Sequence, residues 1–435
     1  MKRVPCSGCS LLCDDIIVRT DGLFIDEVFG ACLKGKDRFV QISSPNRITS
    51  PMIRKNGELV RVNWEEALEY TVRLLEKSVK PLLYGFSTVT CETQYLGMEL
   101  AKLLNGYIDS NASICQGKVF DNLSETGINL TTLTEVINKA DLIILWGANP
   151  AETIPRLLNK ALFSRGKFRM TGREIKTLII IDPVKTASFQ VMGVRDLALL
   201  IDPNKDIELI RSLKEECCNT NSIPEKGIAG IDQSDLRRLL LHLTGAENGV
   251  IFIGQALLQP NKNYSLIKEL LELLQLINEK QTKGRISLIL LGGHFNMMGF
   301  DQVALSNFGV FGSLEFKGNQ LNEEKVSLLS KLEKDDFDCS VIVGSDPISH
   351  LPFKASSKLA KNPIILIDNK ISSTYHLAEV ILPTAISGIE SNGLAYRFDQ
   401  VPIELMKIVN PPSNIPSDED LLLNLITKLH NKGVK

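Results

Sequence analysis

Charge of one sign is what this chain most lacks. Its 49 Lys and Arg stand against 51 Asp and Glu, a formal net charge of −2 over 435 residues. That balance excludes nucleic acid as a bulk electrostatic partner, since phosphate backbones are gripped by a basic excess. Long hydrophobic runs are missing too: none approaches the roughly 18 residues that cross a bilayer. The stretch SLLCDDI near the N-terminus is too short and too acidic for the core of a signal peptide. Neither G-x-G-x-x-G nor G-x-x-x-x-G-K-[ST] occurs, which argues against a simple NAD or ATP site. There is no short-period repeat and no low-complexity tract. What remains is a globular composition, 44% hydrophobic and 23% charged. The chain is long enough for two or three domains, and a cytoplasmic, reducing setting without membrane attachment is expected.

Short apolar runs bounded by Gly, Asp or Pro recur along the chain: PLLYGF, DLIILWG, TLIIID, GVIFIG, ISLILL, SVIVGS and PIILID. Such runs read as buried parallel strands. Helical patterns lie between them, among them ETQYLGMELAKLLN, DLRRLLLHLTG and YSLIKELLELLQLINEK. In NWEEALEYTVRLLEK, Asn63 is placed to cap a helix, Glu66 takes the capping-box position, and Leu68, Val72 and Leu75 form one apolar face. The fold class is α/β, with more than one parallel sheet.

Ligands of such sheets bind beyond the carboxyl ends of the strands. After DLIILW come Gly147, Ala148, Asn149 and Pro150. After TLIII come Asp182 and Pro183, then Thr186 and Ser188. After SVIV come Gly344, Ser345, Asp346 and Pro347, and after IILI come Asp368 and Asn369. Glycine allows close approach of the backbone to a ligand, and a strand-end Asp accepts hydrogen bonds from ribose hydroxyls or a guanine edge. Asn-Pro and Asp-Pro also start turns with no ligand involved. Four such ends in one chain favour a large nucleotide-like cofactor across two sheets.

The cysteines divide into sets. Cys6, Cys9, Cys13 and Cys32 are separated by two, three and eighteen residues. In a reducing setting, clustered cysteines bind metal or do redox chemistry more often than they form disulfides. Cys217 and Cys218 are vicinal and ill suited to one tetrahedral site. Cys91 and Cys339 read as small buried hydrophobes. Cys115 falls between a strand ending near GYIDSN and a helix starting near Gly117, where a thiolate is stabilised by helix amides.

These features together, with WGANP, IIIDPVKT and AEVILPTAISGIESNGLAYRFDQVPI, resemble the molybdopterin oxidoreductase superfamily. CSGCSLLCDDIIV, Cys115 and GGHFNMMGF resemble most the branch formed by the B-type chains of formylmethanofuran dehydrogenase. The resemblance implies a [4Fe–4S] cluster on Cys6, Cys9, Cys13 and Cys32. Four thiolates of one chain suit such a cluster. Zinc is the alternative, since C-x-x-C pairs bind it well, but zinc ribbons use two separated pairs. The resemblance further implies Cys115 as a protein ligand to tungsten or molybdenum, beside the dithiolene sulfurs of two pterin guanine dinucleotides, and Lys34 between cluster and pterin. It carries the pterin site onto Gly147, Asn149, Pro150, Asp182, Thr186, Gly344, Asp346, Asp368, Thr384, Asn392 and Gly393.

Two positions depart from the family pattern. Gln116 stands where His is usual after the metal cysteine, and Gly292 stands where the family's R-G-H-Y-N segment has Arg. Arg clamps carboxylates and His moves protons; Gln and Gly do neither. His294 remains as a candidate for the same pocket, as does a purely structural role for it. Catalytic candidates are thus Cys115, Gln116 and His294.

The expected architecture is a small N-terminal iron–sulfur domain followed by two doubly wound α/β domains, without the C-terminal β-barrel cap. The divisions are residues 1–55 for the cluster, 56–135 plus 295–435 for the metal cysteine and part of the pterin site, and 136–294 for a pterin guanine dinucleotide. The resemblance implies a small β-barrel cap subunit, an amidohydrolase-like subunit, a β-helical subunit and a ferredoxin-type electron carrier as partners, with CO2 or formate as substrate. The activity implied is reversible reduction of CO2 to formate before formyl transfer. The rival is a non-catalytic paralogue that organises a formyl-transfer complex.

Overall fold

The computed structural model describes residues 1–115, 119, 127–168, 172–218, 224–258, 264–281, 284–324 and 326–434. It divides into two compact units. The first comprises residues 1–113, 294–397 and 402–435; the second comprises 114–293 and 398–401. The expected cluster segment, 1–55, lies inside the first unit, and the division expected near residue 135 falls after Ser113.

The first unit is built on a nine-stranded sheet. Its five central strands run parallel in the order Tyr107–Ser110, Pro81–Gly85, Cys339–Val343, Ile364–Ile367 and Val380–Leu382. Numbered along the chain this is 2-1-3-4-5, a doubly wound order whose switch point lies between Pro81–Gly85 and Cys339–Val343. Antiparallel hairpins extend both edges: Leu314–Lys317 with Gln320–Leu321, and Met52–Lys55 with Glu58–Arg61. Helix Trp64–Lys77 starts as the sequence predicts, with the Asn63 side chain accepting from the Glu66 amide at 2.8 Å. Its Leu68, Val72 and Leu75 are buried, and the C-terminal helix Asp418–Asn431 packs on it and on Cys91–Leu103.

The second unit holds a five-stranded, all-parallel sheet ordered Leu197–Leu200, Thr177–Asp182, Leu142–Trp146, Asn248–Ile253 and Arg285–Leu290. In chain order this is 3-2-1-4-5, with its switch point between Leu142–Trp146 and Asn248–Ile253. The seven apolar runs read as strands from the sequence are all strands here. They are buried because a parallel sheet is covered on both faces.

At the N-terminus of the first unit, Lys2–Val4, Ile16–Thr20 and Ile25–Phe29 form a small antiparallel sheet. The pairing Val4↔Ile16 closes the loop that carries the first three cysteines. Within it, the Cys6 amide donates to the Cys13 carbonyl at 2.9 Å and the Leu12 amide to the Cys9 carbonyl at 3.1 Å. Cys32 is the N-cap of helix Leu33–Val40.

Candidate cofactor and metal sites

The cysteine loop and the Leu33–Val40 helix meet around sulfur. A Cβ added to Gly35 would lie 3.1 Å from the Cys6 Sγ and 3.9 Å from the Cys32 Sγ; one on Gly8 would lie 3.3 Å from the Cys6 Sγ and 3.1 Å from the Lys34 carbonyl. Two glycines therefore form a wall that any side chain would push into the sulfurs. Cys6, Cys9 and Cys13 are buried and Cys32 is partly exposed. None of the nine cysteines forms a disulfide. Burial pushes the Cys6 thiol up to about 12, and charge on Cys13, Cys9 and Cys32 pushes in the same direction, against the Gly8 amide. A buried thiol that resists ionisation, as Cys6 does, needs a cationic centre to hold it as a thiolate. Among the described residues no three Cys, His, Asp or Glu are grouped as ligands of one metal ion. The donor set, four cysteines on one loop and the helix beside it, is of the kind that a [4Fe–4S] cluster takes.

The strand ends form two matching devices, one in each unit. Gly147 and Gly344 have φ of 58° and 56°, in the left-handed region, and donate to the carbonyls of Ile181 and Ile367 at 2.9 Å. Asn149 and Asp346 cap the single-turn helices Pro150–Thr153 and Pro347–His350. The Asn149 Oδ1 accepts from the Ser188 hydroxyl at 2.8 Å, and the Asp346 Oδ1 accepts from the Thr374 hydroxyl at 2.6 Å. Those hydroxyls accept from the amides of Ala151 and Ile348 at 3.2 and 3.4 Å. Each next strand ends in an acid, Asp182 or Asp368, whose carboxyl is pushed up by burial, to about 6 for Asp368. At the switch points a Cβ on Gly85 would lie 2.2 Å from the Val343 carbonyl, and one on Gly254 would lie 2.1 Å from the Gly147 carbonyl. The side chains of Asn149 and Asp346 thus hold the turns, and Asp182 and Asp368 are the acids left at the strand ends. The Thr186 hydroxyl of the second unit is buried with no hydrogen-bond partner, as suits a group that meets a ligand's polar atom.

In the first unit, His350, Lys34 and Lys370 lie close enough to His294 to act on it. Desolvation first, and then their charges, lower His294 to about 4. Asn111 donates to the Ser345 hydroxyl at 3.1 Å and to the Tyr84 hydroxyl at 3.3 Å, and Tyr84 meets His350 Nε2 at 3.1 Å. Asn111 begins the 3-10 turn Asn111–Ile114 that leads into Cys115, which is buried. Gln116 and the helix start expected near Gly117 lie outside the described residues. Gly292 is buried, in the second unit.

Other expected cofactor residues are engaged by the chain. Asn392 accepts the Lys407 amide at 2.7 Å. Gly393 would place a Cβ 2.4 Å from Thr90 Cγ2. Thr384 is buried beside Asp418, whose carboxyl is pushed up to about 6 by burial. Four residues near the strand ends and the cysteine loop escaped the sequence reading: His350, Lys370, Arg38 and Asp418. A lysine two places after the strand-end Asp368 was the one signal available.

The molybdopterin oxidoreductase family model matches residues 47–428, and the chain belongs to that family. Over 434 residues it is 32% identical to the B-type chain of tungsten-containing formylmethanofuran dehydrogenase 2 of Methanocaldococcus jannaschii, covering 99% of this chain and 98% of the relative. The same component of the Methanococcus maripaludis enzyme is 30% identical, with 98% of each chain covered. The branch is therefore that of the B-type chains of tungsten-containing formylmethanofuran dehydrogenase. Two solved structures share the fold. A chain of the formyltransferase/hydrolase complex FhcABCD of Methylorubrum extorquens aligns with a TM-score of 0.69 at 19% identity, covering 89% of this chain and all of that one. Acetylene hydratase of Pelobacter acetylenicus aligns at 0.70 and 12% identity, covering 100% of this chain and 70% of that one. Among the described residues no helix is long and apolar enough to cross a membrane.

Proposed function

We propose that this chain is the tungsten- or molybdenum-pterin and [4Fe–4S] component of a formylmethanofuran dehydrogenase-type complex, converting CO2 to formate reversibly before formyl transfer. The observation that carries the reading is the strand-end device, repeated position for position in the sheets of the two units, together with the glycine-walled four-cysteine cradle of the first. One device per sheet suits two pterin guanine dinucleotides. When bound, the metal–pterin centre supplies two-electron redox chemistry and the cluster passes electrons singly.

The chain's own groups have defined tasks in this reading. Cys6, Cys9, Cys13 and Cys32 hold the cluster. Cys115 supplies a thiolate to the metal, a soft ligand for a high-valent centre. Asp182 and Asp368 accept hydrogen bonds from the dinucleotide ends, and Gly147 and Gly344 let the backbone come close. Lys34 and Lys370 provide positive charge for phosphate or carboxylate, and the two histidines, held neutral by desolvation, add uncharged hydrogen-bonding groups. Reduction of CO2 to formate consumes two electrons and one proton. Gln116 does not titrate, so in the formate-oxidising direction the released proton falls to another group, and His294, neutral at working pH, is an acceptor of suitable type. A small β-barrel subunit covering the cofactors, amidohydrolase-like and β-helical subunits, and a ferredoxin-type carrier complete the assembly.

A second reading is favoured by Gln116 and Gly292, which replace a titrating group and a cationic clamp. In it the chain organises formyl transfer without turning over formate, a role in keeping with its structural likeness to a chain of a formyltransferase/hydrolase complex. The two separate on one assay: formate-dependent reduction of a viologen by the anaerobically purified complex. Turnover that requires the bound metal supports the enzyme; a metal-loaded complex without turnover supports the organising role.

A further inference from the structure

Arg38 lies on the Leu33–Val40 helix, whose N-cap is Cys32. Its Nε donates to the Ser7 hydroxyl at 3.2 Å, its Nη2 to the Ser387 carbonyl at 3.3 Å and its Nη1 to the Gln41 side chain at 3.0 Å. The guanidinium carbon stands 5.7 Å from the centre of the Phe295 ring. Ser7 is 3% exposed, follows Cys6 directly, and donates to the same Ser387 carbonyl at 2.9 Å. The guanidinium is thus clamped from three sides against the loop that carries three of the four sulfurs, close enough to Cys6 to act on a thiolate there. Behind it lie two buried carboxyls. Asp418 accepts from the Ser387 hydroxyl at 3.2 Å, and Asp368 ends the Ile364–Ile367 strand. Both act on Arg38 as counter-charges, while Arg47 opposes them.

We propose that Arg38 is a positioning residue for the cluster, whose fixed guanidinium raises the cluster's reduction potential, with Asp418 acting behind it in the opposite sense. The proposal rests on the cluster reading above. A [4Fe–4S] core held by four thiolates gains one negative charge on reduction, through one electron from a low-potential iron–sulfur donor. A partly buried cation held against the cysteine loop favours the more negative form, and a buried carboxylate disfavours it. The partly apolar surroundings, Phe295 and the buried serines, leave little water to screen either charge.

The test is a potentiometric titration of the cluster, followed by electron paramagnetic resonance, in the whole complex at about pH 8, above the range in which Asp418 titrates. In Arg38→Gln the reduced fraction at a fixed ambient potential is expected to fall about tenfold or more; tenfold is 59 mV for one electron. Arg38→Lys keeps the charge and is expected to recover most of that loss. Asp418→Asn removes a negative charge and is expected to raise the reduced fraction, by about two- to tenfold. Equal shifts in Gln and Lys variants, or no shift with the cluster retained, overturn the proposal. So does a shift of Asp418→Asn in the same direction as Arg38→Gln, which marks general disturbance rather than charge. If Arg38→Gln loses its iron, the Lys and Asn variants still decide by their signs. Wild-type complex without iron overturns the cluster reading itself, an outcome distinct from a cluster that is present and insensitive to Arg38.

Discussion

Replacing Glu390 with Ala removes one half of the most deeply buried ion pair of the first unit. Arg47 Nη2 and Glu390 Oε2 are 2.5 Å apart, and their side chains are only 4% and 2% exposed. Glu390 also accepts the Ile386 amide at 2.8 Å, and Arg47 donates to the Asn369 carbonyl at 3.4 Å. The Arg47 Nε is already buried without a partner. Glu390→Ala therefore leaves the guanidinium without its direct ion-pair partner in a site with little water, with Asp368 and Asp418 as its remaining counter-charges. Removing one partner of such a pair costs about 3–5 kcal/mol, far more than the pair's net worth against an apolar replacement. For a unit of some 250 residues, each kcal/mol moves the melting temperature by about 2–4 °C, so a fall of roughly 6–20 °C is expected. Calorimetry of the complex reads this directly. A double variant, Arg47→Met with Glu390→Ala, removes both charges and is expected to lose less than the sum of the singles, with a coupling of about 0.5–3 kcal/mol. A fall of under about 2 °C in the single variant, or strict additivity in the double, would refute the reasoning.

Other outcomes follow from the same geometry. Gly35→Ala places a methyl 3.1 Å from the Cys6 Sγ and 3.2 Å from the Ala31 Cβ, and is expected to lower iron per chain and absorbance near 400 nm without unfolding the sheets; full iron loading contradicts the cradle. Cys115→Ala is expected to remove one sulfur from the tungsten or molybdenum shell in X-ray absorption while the iron signal persists, and an unchanged sulfur count rules out ligation. Asp368 and Asp418 are pushed up to about 6 by burial, from an ordinary 3.8. The folded state thus binds more protons than the unfolded chain between those values, and this contribution stabilises it as pH falls from about 7 towards about 4. Asp418→Asn removes part of that dependence, so its melting temperature is expected to change less with pH than that of wild type; an unchanged slope contradicts it.

Legibility in the sequence followed physical cause. Parallel strands covered on both faces must be apolar throughout, so TLIIID and PIILID declared themselves. The small antiparallel strands, such as Ile25–Phe29 with its sequence IDEVF, are open to solvent on one side and mix charge with apolar residues. The cysteine cradle was legible because sulfur spacing survives in one dimension. Its glycine wall was not, since Gly8 and Gly35 meet Cys6 only in the fold. The turn glycines and the two capping residues, Asn149 and Asp346, were visible as strand ends. Their equivalence lies in the fold, where Ser188 and Thr374 accept from the corresponding amides of Ala151 and Ile348. Arg38, Asp418 and Glu390 carry no sign in sequence of their surroundings. Segments hundreds of residues apart bring Arg38 and Asp418 together at Ser387 and Glu390 onto Arg47.

The central claim is that one chain holds both a cluster and a metal–pterin centre, and the stoichiometry of the anaerobically purified complex tests it most directly. Iron, sulfide, tungsten, molybdenum and pterin nucleotide are measured per copy of this chain, with iron carried by other subunits separated by variants of Cys6 and Cys9. The account predicts that those variants lose about four iron atoms while tungsten or molybdenum near one and guanine dinucleotide near two per chain remain in wild type. Iron unchanged in the cysteine variants, or wild-type complex with neither metal nor pterin, would contradict it.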